Sequence, residues 1–328
     1  MEPWALGVLT SCAGSFLGTL GVQLRILADS AAWKCLCDGK CCCPAGCGGC
    51  SSGCAATTSG LSPKQKSRCL QAIGWTLWIS GQLLGQLTIL LAPATIVACV
   101  TFSSSLLCNT ILAPFVLHEQ VTRAHGLGVV LLSFGGSAVT TIQAHSAKFR
   151  YNLDELQELA LRTHFLVVAC LFAGLAVALG VRALRRTSLD VWSFAYLFAL
   201  VGASDLLVTK CTMLLAASWA TASEDVGGVE VVAVSFAALM VALHLTVFGF
   251  QVASTRYGEA LQNMPLFLGS GALMQVALCG TFFGEFDSLR PARAAAFCCA
   301  FAAMLVGLGV TSRAAILSRP EAARDSLK

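Results

Sequence analysis

The sequence predicts an all-helical polytopic membrane protein of about nine transmembrane helices in two pseudo-symmetric halves, and three observations carry that reading. The chain of 328 residues is 56% hydrophobic and only 12% charged, whereas a soluble domain carries about a quarter charged residues. Its mean hydropathy is +0.76. The charges are clustered, leaving uncharged apolar runs between them, and crossing a bilayer core of about 30 Å takes roughly 20 such residues. Finally, a pattern of proline, glutamate and glycine recurs between the early and late parts of the chain.

The apolar runs fall near residues 5–27, 71–91, 93–116, 125–144, 163–182, 191–216, 230–250, 263–283 and 293–312. The first follows Met1-Glu2-Pro3 without a basic n-region or a small-residue cleavage site, so a membrane span is expected and not a signal peptide. The second and third almost touch at Pro93, a residue suited to a helix start because its missing N–H is not needed there. The chain then divides into a first span (1–28), a loop (29–70), spans two to four (71–144), a linker (145–162), spans five to nine (163–312) and a tail (313–328).

Lys and Arg set the expected orientation. With the N-terminus outside, fourteen basic residues face the cytosol: those of the 29–70 loop, Arg123, the Arg182–Arg186 run, Arg256 and the tail. Five face outward: Lys148, Arg150, Arg162, Arg290 and Arg293. In the linker, YNLDELQELALRTH has Leu153, Leu156 and Leu159 at helical spacing, Asn152 as a cap and Glu155 completing a capping box. A short amphipathic helix on the membrane face is expected there.

The internal echo runs as follows. Pro93 opens a span that ends at Glu119 and leads into a Gly-rich helix (Gly126, Gly128, Gly135, Gly136); Pro265 opens another that ends at Glu285 and leads into a helix with Gly307 and Gly309. Such repeats are common in secondary transporters, whose site lies near the midplane between the halves. Close packing of small residues would also produce the pattern, and Gly14 and Gly18 read as a packing feature.

Several function classes are excluded by what the sequence lacks. A net charge of +4 spread among loops does not suit nucleic acid. There is no Gly-x4-Gly-Lys-Ser/Thr loop, no His-Glu-x-x-His and no Asp-His-His-Cys, so an enzyme or an ATP-driven pump is not expected, and no cofactor is implied. A membrane potential can drive a cation instead: about 100 mV contributes about 4.6 kcal/mol for a divalent ion, enough for more than about a thousandfold accumulation.

Within the membrane, Asp205 stands out. A carboxylate there costs roughly 2.5–3.5 kcal/mol on insertion scales, so it is expected to face the interior, either to attract a cation or as a structural partner. Gln82 and Gln86 share a helix face, and Asn109, Asn263, Ser103 to Ser105 and Gln275 add neutral oxygens. Mg²⁺ parts with water reluctantly and suits one or two carboxylates among neutral oxygens. Glu119 and Glu285 close their spans, as solvated helix ends or as a vestibule that gathers cations. Lys210 would repel a cation on the pathway; it is paired elsewhere, snorkels to an edge, or marks an anionic substrate. His244 reads first as a hydrogen-bonded packing residue and second as a ligand.

The order and spacing of several segments resemble the NIPA family of magnesium transporters, within the drug/metabolite transporter superfamily. GSFLG, SGQLLGQLTILLAPATIV, FVLHEQV and HGLGVVLLSFGGSAVTTIQAHS are similar to its first half; VGASDLLVTKC, FQVASTRYGEALQNMP and TFFGE are similar to its second. The likeness covers nearly the whole chain outside 29–70. It places Gly81-Gln82 where the family has Gly followed by Glu or Gln, Glu119 on the glutamate closing the third span, Lys210 on a lysine of the sixth, and Pro265 on the proline opening the eighth. ACVTF replaces the family's Thr-Pro-Leu-Gly-Ala run, the Asn-Phe pair is missing, and the Pro93–Glu119 spacing is one residue longer; these departures bear on substrate more than on fold. The resemblance implies potential-driven Mg²⁺ transport, in a plasma or endosomal membrane. Alternatives are a carrier of a small organic anion or metabolite, or a non-transporting scaffold. The bilayer, Mg²⁺ or another small solute, and a second copy of the chain are the candidate partners.

Eight of the seventeen cysteines (Cys35, Cys37, Cys41, Cys42, Cys43, Cys47, Cys50 and Cys54) lie within residues 35–54 of the 29–70 loop. A cytosolic location argues against disulfides. Three readings stay open: a soft-metal site matching no zinc-finger template, S-palmitoylation beside the membrane, or a disordered Gly/Ser/Cys-rich linker.

Overall fold

The computed structural model describes residues 3–29, 63–116, 121–143, 151, 153–185, 190–221, 227–254, 260–287 and 289–317. Among them every regular element is an α-helix: α1 (Pro3–Asp29), α2 (Pro63–Leu91), α3 (Ala94–Val116), α4 (Arg123–Gln143), α5 (Leu153–Ala160), α6 (Thr163–Arg185), α7 (Val191–Thr221), α8 (Gly227–Ser254), α9 (Ala260–Phe282) and α10 (Pro291–Leu317). Eight of these, all but α2 and α5, are long and apolar enough to cross a membrane. Helices are what such runs must form, because lipid offers no partner to a free backbone N–H or C=O. The chain is therefore an all-helical polytopic membrane protein. The run expected at 71–91 lies within α2, whose mean hydropathy is lowered by a basic start and by Gln82 and Gln86.

Small residues allow the closest helix contacts. A Cβ on Gly81 would stand 2.6 Å from the Gly14 carbonyl oxygen, and one on Gly21 would stand 2.5 Å from that of Gly74, so α1 and α2 pack backbone to backbone. The same holds for α4 and α10, where a Cβ on Gly128 would meet the Gly307 oxygen at 2.9 Å. This is how apolar helices associate in lipid, where burial from water contributes little. Helix α3 touches α1, α4 and α9, and α9 packs on α7 and α10. Ile96, Cys99, Phe102 and Leu106 of α3 are buried in the main core with Val276 and Cys279 of α9. Helices α6 and α8 are peripheral, and their most apolar stretches bury nothing inside the bundle.

Three local expectations meet the structure differently. The amphipathic linker segment is helical as α5, but its apolar face rests on the bundle, with Leu156 and Leu159 buried in the main core. Asn152, its expected cap, lies outside the described residues. Helix α9 starts at Ala260, so Pro265 lies inside the helix and does not open it. At Pro93, by contrast, the chain does break between α2 and α3. The α6–α7 junction is tied by Asp190, whose carboxylate accepts the Ser193 N–H at 3.2 Å and the Ser193 hydroxyl at 2.7 Å and pairs with Arg182 at 2.8 Å. That is the chemistry of a helix N-cap.

Candidate functional site

Three helices contribute one polar cluster. Asp205 of α7 approaches His244 of α8, with Oδ1 2.7 Å from Nδ1. The same Nδ1 is 3.1 Å from the Met240 carbonyl oxygen. On the other side of the ring, Nε2 is 2.7 Å from Nε2 of Gln86 on α2. As oriented, the Gln86 amide donates to Nε2, and the Nδ1 proton then goes to the Met240 carbonyl. Gln86 Oε1 is buried without a partner; turning the amide over would present it to an imidazolium instead. The Nδ1–Oδ1 approach is close but not aligned as a hydrogen bond, and Oδ1 is buried with no hydrogen-bond partner among the described residues, so the Asp205 carboxylate is left to take another ligand.

This cluster separates two cavities. The inner one, of about 200 Å³, is lined by Gln82, Gln86, Asp205, His244, Gln275, Thr101 and Thr209 among mostly apolar residues such as Ile89, Phe102, Phe198 and Phe267. Gln275 donates to the Gly202 carbonyl at 3.3 Å, which bridges α9 to α7 beside Asp205. The second cavity, of about 440 Å³, lies between α2 and α8; Gln82, Gln86, Asp205 and His244 line it too. Its remaining walls are apolar. Among the described residues no three His, Cys, Asp or Glu side chains gather to hold a metal ion, so the donor set is one carboxylate among neutral amides and hydroxyls.

A second polar cluster lies elsewhere in the core. Glu285, in the turn after α9, accepts the N–H groups of Ala94 at 3.0 Å and Thr95 at 3.2 Å and the Thr95 hydroxyl. It thereby caps the first turn of α3, where Pro93 has no side-chain oxygen to do so. Lys210 of α7 stands 4.0 Å from Glu285 and donates to the Ala92 carbonyl at 3.2 Å. Its ammonium also faces the Phe283 ring at 4.8 Å. Charge, helix end and chain break satisfy one another there. Just outside, Tyr151 donates to the Phe283 carbonyl at 3.4 Å; burial, with Glu285 and Glu155 adding and Arg162 opposing, pushes its phenol up to about 12.

Of the residues singled out in the sequence, Asp205, Gln82 and Gln86 are brought together, and His244 joins them. Asn109 is not among them. It pairs with Gln23 of α1, which donates to its Oδ1 at 2.9 Å, in a buried contact between α1 and α3. Glu285 is a buried cap, neither solvated nor in a vestibule, and Lys210 is its partner, lining neither cavity. Glu119, the Asn263 side chain and the eight cysteines of residues 35–54 lie outside the described residues. Thr95 and Gln23 were missed by sequence reasoning; a lone glutamine in the apolar run LGVQLRIL was the available signal for the second.

The comparisons with known proteins place no relative beside this geometry: no family model, no curated protein and no solved structure matches the chain.

Proposed function

We propose that the chain is a secondary transporter of a divalent cation, with Mg²⁺ the first candidate, moved down the electrical gradient. The carrying observation is the setting of Asp205: a carboxylate with no hydrogen-bond donor of its own among the described residues, at a largely apolar cavity whose other polar groups are Gln82, Gln86, Gln275, His244 and two threonines. Mg²⁺ keeps several waters when bound, and Gln82, Gln275, Thr101 and Thr209 offer groups that address those waters. The positive charge of Lys210, which would argue for an anion, is matched by Glu285 outside the cavity.

The pattern of helix contacts fits an arrangement of two halves, which supports the same reading. Helix α1 packs on α2 and α3 as α7 packs on α8 and α9, and across the halves α3 meets α9 while α4 meets α10. The Gln86–His244 contact then joins corresponding helices, α2 and α8, where a transporter of repeated halves has its site. The basic-residue bias supports an outside N-terminus and a cytosolic C-terminus, in a plasma or endosomal membrane.

The test is Mg²⁺ entry into proteoliposomes under an imposed inside-negative potential, read by a trapped fluorescent indicator. Saturable, voltage-dependent entry that falls at least tenfold in Asp205→Asn is expected. Absence of entry with folded protein would overturn the cation reading and move it to an anionic metabolite.

A further inference from the structure

The larger cavity does not fit a hydrated ion, and its two kinds of surface define what it does fit. It runs between α2 and α8, with walls of Trp78, Met213, Met240 and Phe248. Along its rim, Ile79, Leu83, Val241 and Leu245 are 50%, 66%, 53% and 65% exposed. Val241 and Leu245 belong to α8, which is long and apolar enough to cross a membrane, and Ile79 and Leu83 lie beside them on α2, so the cavity is read as a groove open sideways to the bilayer. Its floor is polar: Asp205, with Gln82, Gln86 and His244.

We propose that this groove binds an amphiphilic organic cation, an alkyl or aryl amine in its ammonium form, with the apolar body along the walls and the nitrogen at Asp205. Charge complementarity selects the ligand. Among the described residues, the only titratable side chains lining the groove are Asp205 and His244, and neither Lys nor Arg contributes to it. A phospholipid phosphate would find no basic partner and would face a carboxylate. A plain acyl chain would cover the walls but leave the Asp205 charge uncompensated in a low-dielectric site, which is costly. An ammonium meets the Asp205 carboxylate, which has no hydrogen-bond donor among the described residues, with His244 beside it.

The aromatic end adds to the fit. Trp78 and Phe248 lie 5.2 Å apart with their rings inclined at 55°, and the neighbouring Trp75 already carries the Arg25 guanidinium 3.4 Å from its ring centroid. Electron-rich faces of this kind favour the positively polarised carbons next to an ammonium. The ligand enters from the membrane, where an amphiphile is already concentrated. This binding does not depend on Mg²⁺ transport, although both ligands would use Asp205.

The experiment is equilibrium binding of radiolabelled dodecyldimethylamine to the full chain in phosphatidylcholine nanodiscs at neutral pH without divalent cations. A neutral analogue, with carbon in place of the nitrogen, serves as comparison. Saturable binding is expected, at least tenfold tighter than for the neutral analogue and weakened at least tenfold by Asp205→Asn. Leu245→Trp, at the exposed rim, is expected to block the groove, and Leu171→Trp, on the exposed face of α6, to leave binding unchanged. Equal affinity for amine and neutral analogue, equal affinity in folded Asp205→Asn, or binding indifferent to Leu245→Trp would each overturn the proposal. Because only binding is read, a failure here is separate from a failure of Mg²⁺ flux.

Discussion

The Nζ of Lys210 stands 4.0 Å from Oε1 of Glu285, and each side chain is 7% exposed. Two charges taken that far from water are stable only together, and removing one partner of such a pair typically costs about 3–5 kcal/mol. Glu285→Gln keeps one of the two acceptor oxygens that face the Ala94 and Thr95 N–H groups but strands the ammonium. Lys210→Met strands the carboxylate. Each single variant is expected to lower the thermal unfolding midpoint sharply, and the double variant to lose less than the sum, with a coupling of at least about 1 kcal/mol. Additive losses would show that the two charges do not interact.

Glycine packing between α1 and α2 makes a sharper prediction, because neighbouring glycines differ. A Cβ at Gly81 would fall 2.6 Å from backbone atoms of Gly14 and Gly18, whereas one at Gly18 would meet nothing within 4 Å. Gly81→Ala must push two backbones apart and is expected to cost about 1–3 kcal/mol. Gly18→Ala keeps the packing and gains helix propensity of up to about 1 kcal/mol. Thermal unfolding of the two variants in detergent should move in opposite directions.

The buried amide pair separates a structural role from a transport role. Gln23 donates to Asn109 at 2.9 Å, and neither residue lines the cavity at Asp205. Asn109→Ala removes an interhelical hydrogen bond of a kind that contributes about 0.6–2 kcal/mol in membranes. Stability should fall by that amount while Mg²⁺ entry stays within about twofold. A Gln82→Ala variant, altering a cavity wall, should reduce entry with little change in unfolding. The reverse pattern would put the pathway beside α1.

Much of this was legible in the sequence because hydropathy and helix formation are local properties. Eight spanning helices follow from runs of apolar residues, and the break between α2 and α3 follows from Pro93. Helix α2 is the least hydropathic of the long helices because of its basic start and of Gln82 and Gln86, which line the cavities. Cross-helix contacts had no such signal. Nothing in the spacing of Asp205 and His244 told that their side chains meet, and His244 read as a packing residue. Glu285 looked like a helix end because it follows one, yet the helix it caps begins 191 residues earlier at Ala94. Lys210 was legible as a problem, a charge needing a partner, but its partner was not.

Asp190 supplies the pH prediction. Although burial opposes its ionisation, hydrogen bonds from the Ser193 hydroxyl and N–H, with Arg182 nearby, hold its carboxyl below the ordinary carboxylate value. A carboxyl depressed on folding contributes stability that is fully present above its unfolded value, near 3.8, and is lost as pH falls through the folded one. From pH 6 to 8 the contribution should be flat, and below about 4 it should fade. Asp190→Ala removes the N-cap of α7 and is expected to cost about 1 kcal/mol at neutral pH. The difference between native and variant unfolding midpoints, followed from pH 7 down to about 3, should therefore narrow on acidification; a gap that widened would mean that Asp190 is neutral in the folded protein.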